Sequence, residues 1–440
     1  MSLRTAGRAT GHRSNHVKLV ALLDGHLAGE ISQLSSGQLR FAYDSTWRTS
    51  QDAYPLSLSM PLTASEHKHQ AINAFLWGLL PDNTRTLDQY GRQFGVSSGN
   101  PVALLAHIGA DCAGAVQFAV PEHVDELRGS SSERQRVEWI SETEVATELR
   151  SVREQGIPGT EGRTYGRFSL AGAQPKIALL EQDGRWGRPS GRTPTNRILK
   201  PPSREFPGFA ENEHFCLDLA RELGLGAVRS RVVRFEDEVA VVVDRFDRLA
   251  HDGKYRRIHQ EDICQALAIL PTNKYENEGG PGITRIISLL RESSQEPGSD
   301  VDRFVDSTIL NWVLAATDAH AKNYALLHGP GGAVRLAPFF DIASFLPYGG
   351  RRLQRVKLAM KVGDEYLVRR IMRPQWTELA IQNNLPVEAV LERGQKLLGA
   401  LPDAAQRVKQ RAMDEGLDQS TIETVCTSVL QHAADCRAVI

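Results

Sequence analysis

The order of strand-like and helix-like segments after residue 160 most constrains the fold of this 440-residue chain. Short apolar runs bounded by turn residues come first, and Val239–Val243 is the most apolar of them. That run is typical of a central strand buried in a sheet. Longer segments with helical apolar spacing follow, beginning with a helix predicted at Glu261–Leu270. Strands followed by helices predict an α+β fold with a small sheet lobe and a larger helical lobe.

The residues before this region predict a separate, smaller α+β unit. Val17–Leu23 and Leu27–Ile31 flank Asp24-Gly25, a combination typical of a β-hairpin. Further strand and helix segments follow, and then a polar stretch with the character of a linker. The whole chain is therefore predicted to consist of a disordered basic tail (1–16), an N-terminal α+β subdomain (17–123), a linker (124–140), a β-rich lobe (141–248) and an α-helical lobe (249–440).

Composition and charge exclude several classes of protein. Apolar residues make up 41% and charged residues 24% of the chain, so disorder of the whole chain is excluded. A net charge of −1 provides no global field that would attract nucleic acid or a membrane. The five cysteines are scattered and include no C-x-x-C pair, which indicates reduced thiols in a cytoplasmic protein. No apolar run reaches the roughly 18 residues of a membrane span.

One polar run in the helical lobe carries the strongest chemical signal. Asp318 is followed five residues later by Asn323, and Asp341 lies 18 residues beyond that. This spacing is typical of phosphoryl-transfer sites, where one carboxylate receives the proton of the substrate hydroxyl. A second carboxylate and an amide oxygen suit Mg²⁺, which prefers hard oxygen ligands. We predict Asp318 as the catalytic base and Asn323 and Asp341 as metal ligands; an Asx turn joining two elements is the structural alternative.

Two residues inside this run are assigned further roles. Lys322 is predicted to be catalytic, because a cation beside the transferred phosphate would stabilise charge in the transition state. A solvated surface lysine is the alternative. His320 is interpreted as a histidine that orients the loop by hydrogen bonding, and it is grouped with the nucleotide-binding residues.

The β-rich lobe offers candidates for the remaining parts of a nucleotide site. Lys200 ends an apolar strand and is predicted to point into a cleft, with Glu211 or Glu213 as its partner. Asp244 and Phe246 follow the most apolar strand, where an adenine-binding hinge belongs. A turn of small residues could present backbone N–H groups to phosphates; it comprises Ser169, Leu170, Ala171, Gly172, Ala173 and Gln174. Plain turns and surface charges explain each piece singly, but the order of the pieces favours a nucleotide site.

Together these motifs resemble the HipA family of serine/threonine kinases, the toxins of bacterial toxin–antitoxin pairs. The resemblance extends from about Val17 to Pro402. It rests on blocks that occur in the same order, among them Leu79–Asn83, Ser169–Lys176, Asp244–Arg248, Lys274–Glu276, Gly279–Gly282, Asp318–Asn323 and Pro338–Asp341.

The resemblance implies a protein-kinase-like two-lobed fold with an extra N-terminal subdomain. It also implies an ATP- and Mg²⁺-dependent protein serine/threonine kinase in which Lys200 contacts phosphate and Lys176 contacts the nucleotide. Ser169 is similar to the serine that family members phosphorylate on themselves. A phosphate of about −1.5 to −2 charge on this loop would repel the phosphates of ATP and switch the kinase off.

The same resemblance implies three partners: a helix-turn-helix antitoxin of the HipB kind, operator DNA bound through that complex, and a protein substrate such as glutamyl-tRNA synthetase. The basic clusters at 351–357 and 369–373 could flank DNA, with solvated faces as the alternative. Pro175 departs from the acidic residue of some members. A non-catalytic corepressor and a small-molecule kinase are the alternative functions.

Overall fold

The structure, a computed structural model, describes residues 18–128, 137–158, 168–202, 205–251 and 253–440. The tail predicted at 1–16 and the central part of the predicted linker lie outside these residues. Among the helices that are described, none combines the length and the apolar character needed to cross a lipid bilayer.

Residues 18–128 form a five-stranded antiparallel sheet, in the order β4-β3-β2-β1-β5, with helices packed against it. The strands are β1 (Lys18–Leu23), β2 (His26–Gln33), β3 (Leu39–Tyr43), β4 (Glu66–Lys68) and β5 (Val116–Ala119). The helices are α1 (Ser45–Thr49), α2 (His69–Leu79), α3 (Thr84–Phe94), α4 (Pro101–Ile108) and α5 (Val124–Arg128). The predicted hairpin is confirmed: Asp24 and Gly25 both have positive φ, as a tight turn between paired strands requires.

Within residues 137–158, 168–202 and 205–247, six strands form a second antiparallel sheet in the order β10-β11-β9-β7-β8-β6. The strands are β6 (Val137–Ile140), β7 (Ile177–Gln182), β8 (Arg185–Pro189), β9 (Arg197–Lys200), β10 (Ser230–Phe235) and β11 (Glu238–Asp244). Helices α6 (Glu142–Gln155) and α7 (Phe209–Glu222) accompany this sheet. The apolar run Val239–Val243 lies in β11, a strand paired on both sides.

The remaining described residues form the helical lobe, which also carries short hairpins. Its helices are α8 (Ile263–Ala266), α9 (Ile283–Ser293), α10 (Pro297–Val313), α11 (Leu346–Gly349), α12 (Arg373–Gln382), α13 (Val387–Asp414) and α14 (Gln419–Arg437). Its strands are β12 (Arg248–His251), β13 (Lys254–Arg257), β14 (His259–Asp262), β15 (Ala325–Gly329), β16 (Ala333–Leu336), β17 (Lys357–Val362) and β18 (Glu365–Leu367). One apolar core joins α7, α9, α10, α13 and α14.

Two features differ from the sequence expectation. The helix predicted at Glu261–Leu270 is wrong over most of its length. Glu261 lies in β14, which pairs with β15, and only the four-residue α8 follows. Pairing with a strand more than 60 positions away overrides the local helical spacing. In addition, α5 and β6 both fall inside the predicted linker, and β6 pairs with β8, so the second sheet already includes residues before 141.

The N-terminal unit is joined to the helical lobe by buried hydrogen bonds. The Gln265 side chain donates from Nε2 to the Phe75 carbonyl at 2.8 Å, and its backbone carbonyl accepts from Ser57 Oγ at 3.2 Å. Oε1 of the buried Glu261 accepts from the Leu58 N–H at 2.8 Å and contacts His328 Nε2 at 2.9 Å. The two units therefore share a polar interface that is closed to water.

A buried ionic cluster joins the N-terminal unit to the end of β11. Asp111, from the loop before β5, contacts Arg248 at 2.9 Å and Arg257 at 3.0 Å. Asp247 pairs with Arg245 at 2.8 Å and accepts a hydrogen bond from the Gly114 N–H at 2.6 Å. Burial alone would raise the pKa of Asp247, but Arg245 and Arg248 lower it to about 2. The cluster holds the hinge region against the N-terminal unit.

This lowered pKa makes stability depend on acidity. Because the pKa of folded Asp247 lies below its ordinary value of 3.8, its stabilisation is complete above about pH 4 and is lost as the pH falls towards 2. The loss attributable to Asp247 is about 2 kcal/mol of unfolding free energy. Urea unfolding from pH 6 down to pH 2.5 measures it. Asp247→Asn should have a lower free energy of unfolding than the wild type at pH 6, and this free energy should vary less with pH below pH 4. If it varies with pH as steeply as in the wild type, Asp247 is not the group responsible.

Candidate active site

A cleft of about 700 Å³ lies between the second sheet and the helical lobe, and the N-terminal unit contributes to its wall. The predicted site residues that line it are Leu170, Ala171, Gly172, Ala173, Gln174, Lys176, Lys200, Asp244, Phe246, Asp318, His320, Lys322, Asn323 and Asp341. Ser169 is the predicted site residue that lies behind this wall. Residues from four separate parts of the sequence thus converge on one cavity, which is the geometry expected of a ligand site.

Asp318 lies in the loop after α10 and projects its carboxylate towards the cleft, with 66% of the side chain exposed. The Asn323 side chain donates from Nδ2 to the Asp318 carbonyl at 2.7 Å, which ties the two ends of the motif together. His320 is buried, and its N–H also donates to the Asp318 carbonyl, at 2.8 Å. Burial lowers the pKa of His320, which favours its neutral form.

Lys200 lies at the centre of a three-residue ionic group. Its Nζ contacts Glu213 Oε1 at 2.6 Å and Asp341 Oδ1 at 2.7 Å. Of the two glutamates considered as partners, Glu213 therefore makes the contact. Burial opposes the charge on Lys200, yet Asp341 and Glu213 together raise its pKa above the ordinary value. This lysine stays protonated throughout the physiological range.

Asp341 completes the group from the helical lobe. Burial alone would raise its pKa, but Lys200 and Lys176 lower it to about 2, so the carboxylate is ionised. Its φ of +58° lies in the left-handed region, which aspartate tolerates better than bulky residues. The preceding Phe339 exchanges backbone hydrogen bonds with Gly226 and Val228, at 3.1 and 2.9 Å, so this segment is fixed against the sheet lobe.

The glycine-containing loop is held against the N-terminal unit. Ser169 is fully buried; its N–H donates to the Asp111 carbonyl at 3.0 Å and its Oγ donates to the Leu79 carbonyl at 2.9 Å. Further along, the Gly172 carbonyl accepts from the Asp82 N–H at 3.2 Å, and Gly172 has a φ of +108° that favours glycine. In this conformation the Ser169 hydroxyl is closed to solvent, so the loop must move before any reagent can reach it.

Lys176 closes the same loop from its far end, since its Nζ donates to the Ala171 carbonyl at 2.5 Å. Burial and the neighbouring Lys200 lower the pKa of Lys176 to about 8. The lowered pKa means that the nearby carboxylates do not fully compensate the charge of the Lys176 ammonium. An anionic ligand such as a polyphosphate would supply that charge.

The predicted hinge follows β11. The N–H groups of Asp244 and Arg245 are occupied, since they donate to the carbonyls of Arg229 and Asn196 at 2.9 and 3.1 Å. Across the part of the chain that is described, the Phe246 N–H makes no hydrogen bond, and this residue faces the cleft. Its ring stacks on Phe340 with centroids 5.5 Å apart. The hinge thus offers one free backbone donor beside a pair of aromatic rings.

The structure ties Lys322 into a buried network rather than leaving its ammonium free. Its Nζ contacts Asp262 Oδ2 at 2.9 Å, the Gly78 carbonyl at 3.1 Å and Asp82 Oδ1 at 3.9 Å. Lys274 pairs with Asp82 at 2.7 Å from the other side. These contacts join the loop after α10 to the N-terminal unit.

Asp82, Asp262, Lys274 and Tyr275 are cleft or loop residues to which sequence reasoning assigned no role. The blocks Leu79–Asn83 and Lys274–Glu276 were part of the family resemblance and were the available signal. The contact between Asp82 and Lys274 joins residues 192 positions apart, and local patterns carry no record of such a pair.

The cleft offers oxygen ligands of the kind that a magnesium ion prefers. In the described part of the chain, no three His, Cys, Asp or Glu side chains come together in a group able to hold a metal ion. Mg²⁺ bound with nucleotide needs fewer protein ligands, because phosphates and water complete its octahedron. Asn323 and Asp341 both line the cleft, and the Nδ2 of Asn323 is occupied, which leaves its amide oxygen for a cation. These two residues therefore fit a nucleotide-bound Mg²⁺.

The fold and the cleft together define a class of protein: a protein-kinase-like enzyme with two lobes and an extra N-terminal α+β subdomain. Models of the HipA N-terminal domain and the HipA-like C-terminal domain match residues 19–119 and 168–411. The chain belongs to the HipA family.

Individual relatives agree with this assignment. Y4mE of Sinorhizobium fredii, named as a kinase, is 33% identical over 412 residues, covering 93% of this chain and 96% of that protein. The serine/threonine-protein kinase toxin HipA of Shewanella oneidensis is 28% identical over 396 residues, covering 87% of each. The solved complex of Shewanella oneidensis HipA with HipB and operator DNA aligns with a TM-score of 0.80 at 25% identity, covering 96% of this chain and 98% of that one. The predicted family, fold class and enzyme class are confirmed.

Proposed function

We propose that this protein is an ATP-dependent serine/threonine kinase that acts as the toxin of a toxin–antitoxin pair and is switched off by phosphorylation of Ser169. The observation that carries the proposal is the convergence of Lys200, Asp318, Asn323 and Asp341 on one cleft beside the glycine-containing loop. A chain that had lost kinase activity and only docked on an antitoxin would have no need to keep all four.

The proposed roles follow from the contacts. Lys200, held by Glu213, orients the phosphates of ATP, and Lys176 adds a second cation from the loop. Phe246 offers its N–H to the adenine. Asp318 accepts the proton of the acceptor hydroxyl, which its exposure at the cleft allows. Asn323 and Asp341 would hold Mg²⁺, which neutralises phosphate charge when bound. Lys322 holds the loop after α10 in place through its contact with Asp262. Its catalytic role stays a prediction.

Incubation of the purified protein with labelled ATP, Mg²⁺ and a cell extract tests the activity. Mass spectrometry of all phosphoserines then identifies Ser169 and any foreign substrate, for which an aminoacyl-tRNA synthetase such as glutamyl-tRNA synthetase is the proposed class. Label on metabolites instead of proteins would favour a small-molecule kinase. Absence of ATP binding by calorimetry would favour a non-catalytic role.

The solved HipA complex contains HipB and operator DNA. We extend this to the present chain: its proposed partners are a HipB-like antitoxin and, through it, operator DNA. Arg369 and Arg370 are exposed basic side chains of the kind that contacts phosphates, although Arg369 lies 3.5 Å from Asp435 and Arg370 lies 3.9 Å from Glu365.

Ser169→Ala should remove self-inactivation. The variant loses one hydrogen bond, to the Leu79 carbonyl, which costs on the order of 1 kcal/mol. We expect its initial rate of substrate phosphorylation to match the wild-type rate, and its activity to persist while wild-type activity decays during incubation with ATP. Time courses of both proteins measure this. A variant that decays at the wild-type rate would contradict the role of Ser169.

A further inference from the structure

A tyrosine outside the predicted site contacts the proposed catalytic base. The Tyr275 hydroxyl donates to Asp318 Oδ1 at 2.6 Å. The Tyr275 ring meets His320 edge to face, with centroids 4.9 Å apart, and His320 Nε2 lies 3.7 Å from the same oxygen. Both neighbours therefore face Oδ1. Within the described residues, Oδ2 of Asp318 has no hydrogen-bond partner.

This contact matters because little else restrains the carboxylate. The Asp318 side chain is two-thirds exposed, and an exposed carboxylate turns readily about its terminal torsion. Proton transfer needs the accepting oxygen within hydrogen-bond reach of the acceptor hydroxyl and in a fixed orientation. A donor fixed to one oxygen provides that orientation and leaves the other oxygen accessible from the cleft.

Tyr275 is itself fixed from two sides. The preceding Lys274 pairs with Asp82 of the N-terminal unit at 2.7 Å. The following Glu276 accepts a hydrogen bond from the Lys361 N–H at 2.7 Å, in the β17 strand of the helical lobe. The loop is also tight: a Cβ added at Gly280 would collide with the backbone carbonyls of this segment. The position of the Tyr275 hydroxyl is thus set by the protein before any substrate arrives.

The hydroxyl is also in the right protonation state. Burial and the hydrogen bond to Asp318 raise the pKa of Tyr275 above its ordinary value. Tyr275 therefore remains a donor throughout the physiological range.

We propose that Tyr275 is a positioning residue for phosphoryl transfer: its hydroxyl holds Oδ1 of Asp318, so that Oδ2 receives the proton of the acceptor serine or threonine. This inference rests on the kinase function proposed above. It assigns the loop Pro271–Gly282 a role in the reaction, and it makes the N-terminal unit, through Asp82, an indirect support of the catalytic base.

Tyr275→Phe tests the proposal, because it removes one oxygen atom and keeps the ring. We expect kcat for protein phosphorylation to fall by roughly tenfold or more, the effect of losing a hydrogen bond to a charged group. The KM for ATP, ATP binding by calorimetry and the melting temperature should not change. Tyr366→Phe is the matched control, because Tyr366 interacts with the Glu276 carboxylate of the same loop and not with Asp318, so this variant should keep the wild-type kcat.

The outcomes separate the inference from the function on which it rests. A wild-type protein that transfers no phosphate would overturn the kinase proposal itself. An active wild type together with an unchanged kcat in Tyr275→Phe would overturn the positioning role alone. A parallel loss of ATP affinity or melting temperature in Tyr275→Phe would show a merely structural residue, and would also overturn it.

Discussion

Asp318→Ala is expected to lower the rate of phosphoryl transfer by orders of magnitude while leaving the fold and ATP binding intact. The Asp318 carboxylate is mostly exposed, so its removal breaks little of the packing that maintains the structure. General base catalysis of this kind contributes about 10²- to 10⁴-fold in rate, which gives the expected loss in kcat. Initial rates with labelled ATP measure it, and calorimetry measures ATP binding in the same preparation.

Asp403→Ala is a suitable control for that experiment. Asp403 is an exposed aspartate in α13 and does not line the cleft, so this variant should phosphorylate at the wild-type rate. If Asp318→Ala still labels itself at close to the wild-type rate, Asp318 is not the base, and the assignment of the site fails at its centre.

Lys200→Met should have the second large effect, on both stability and ATP binding. The substitution keeps the apolar stem but removes the ammonium that pairs directly with Glu213, which is fully buried, and with Asp341, which is 30% exposed. Breaking a buried ion pair from one side typically costs about 3–5 kcal/mol. Oε2 of Glu213 already lacks a hydrogen-bond partner among the described residues, so little is available to compensate. Urea unfolding gives the stability, and calorimetry should detect no ATP binding.

The same substitution at Lys18 provides the comparison. Lys18 pairs with Glu30 at 3.7 Å on the surface, with both side chains more than half exposed. Pairs of this kind contribute less than about 1 kcal/mol, so Lys18→Met should be nearly neutral and should bind ATP normally. Equal free energies of unfolding for Lys200→Met and the wild type would show that Lys200 does not form a stabilising buried ion pair with Glu213.

The parts of the fold that the sequence predicted are those with strong local patterns. The Asp24-Gly25 hairpin and the strand at Val239–Val243 follow from turn chemistry and from a continuous apolar run. The strand β14, which includes Glu261, cannot be predicted from a local pattern, because it is a strand only through its pairing with β15. The choice between Glu211 and Glu213 was also open, since both lie on the helix that faces Lys200 and only the packed helix decides which one meets it.

The candidate site shows the same division. Asp318, Asn323 and Asp341 are recognisable because phosphoryl transfer needs these side chains at restricted spacings. Tyr275 is not, because its contact with Asp318 spans 43 positions and depends on a loop anchored to the N-terminal unit and to β17. The burial of Ser169 is likewise a tertiary property, set by the Leu79 and Asp111 carbonyls.

The polar interface around Gln265 and Glu261 bears on how such a protein can change during evolution. Its donors and acceptors come from both sides, so removing the N-terminal unit would leave Glu261, Arg248 and Arg257 without their buried partners and exposed to water. The N-terminal unit therefore cannot be replaced by an unrelated domain unless that domain supplies new partners for these buried polar groups.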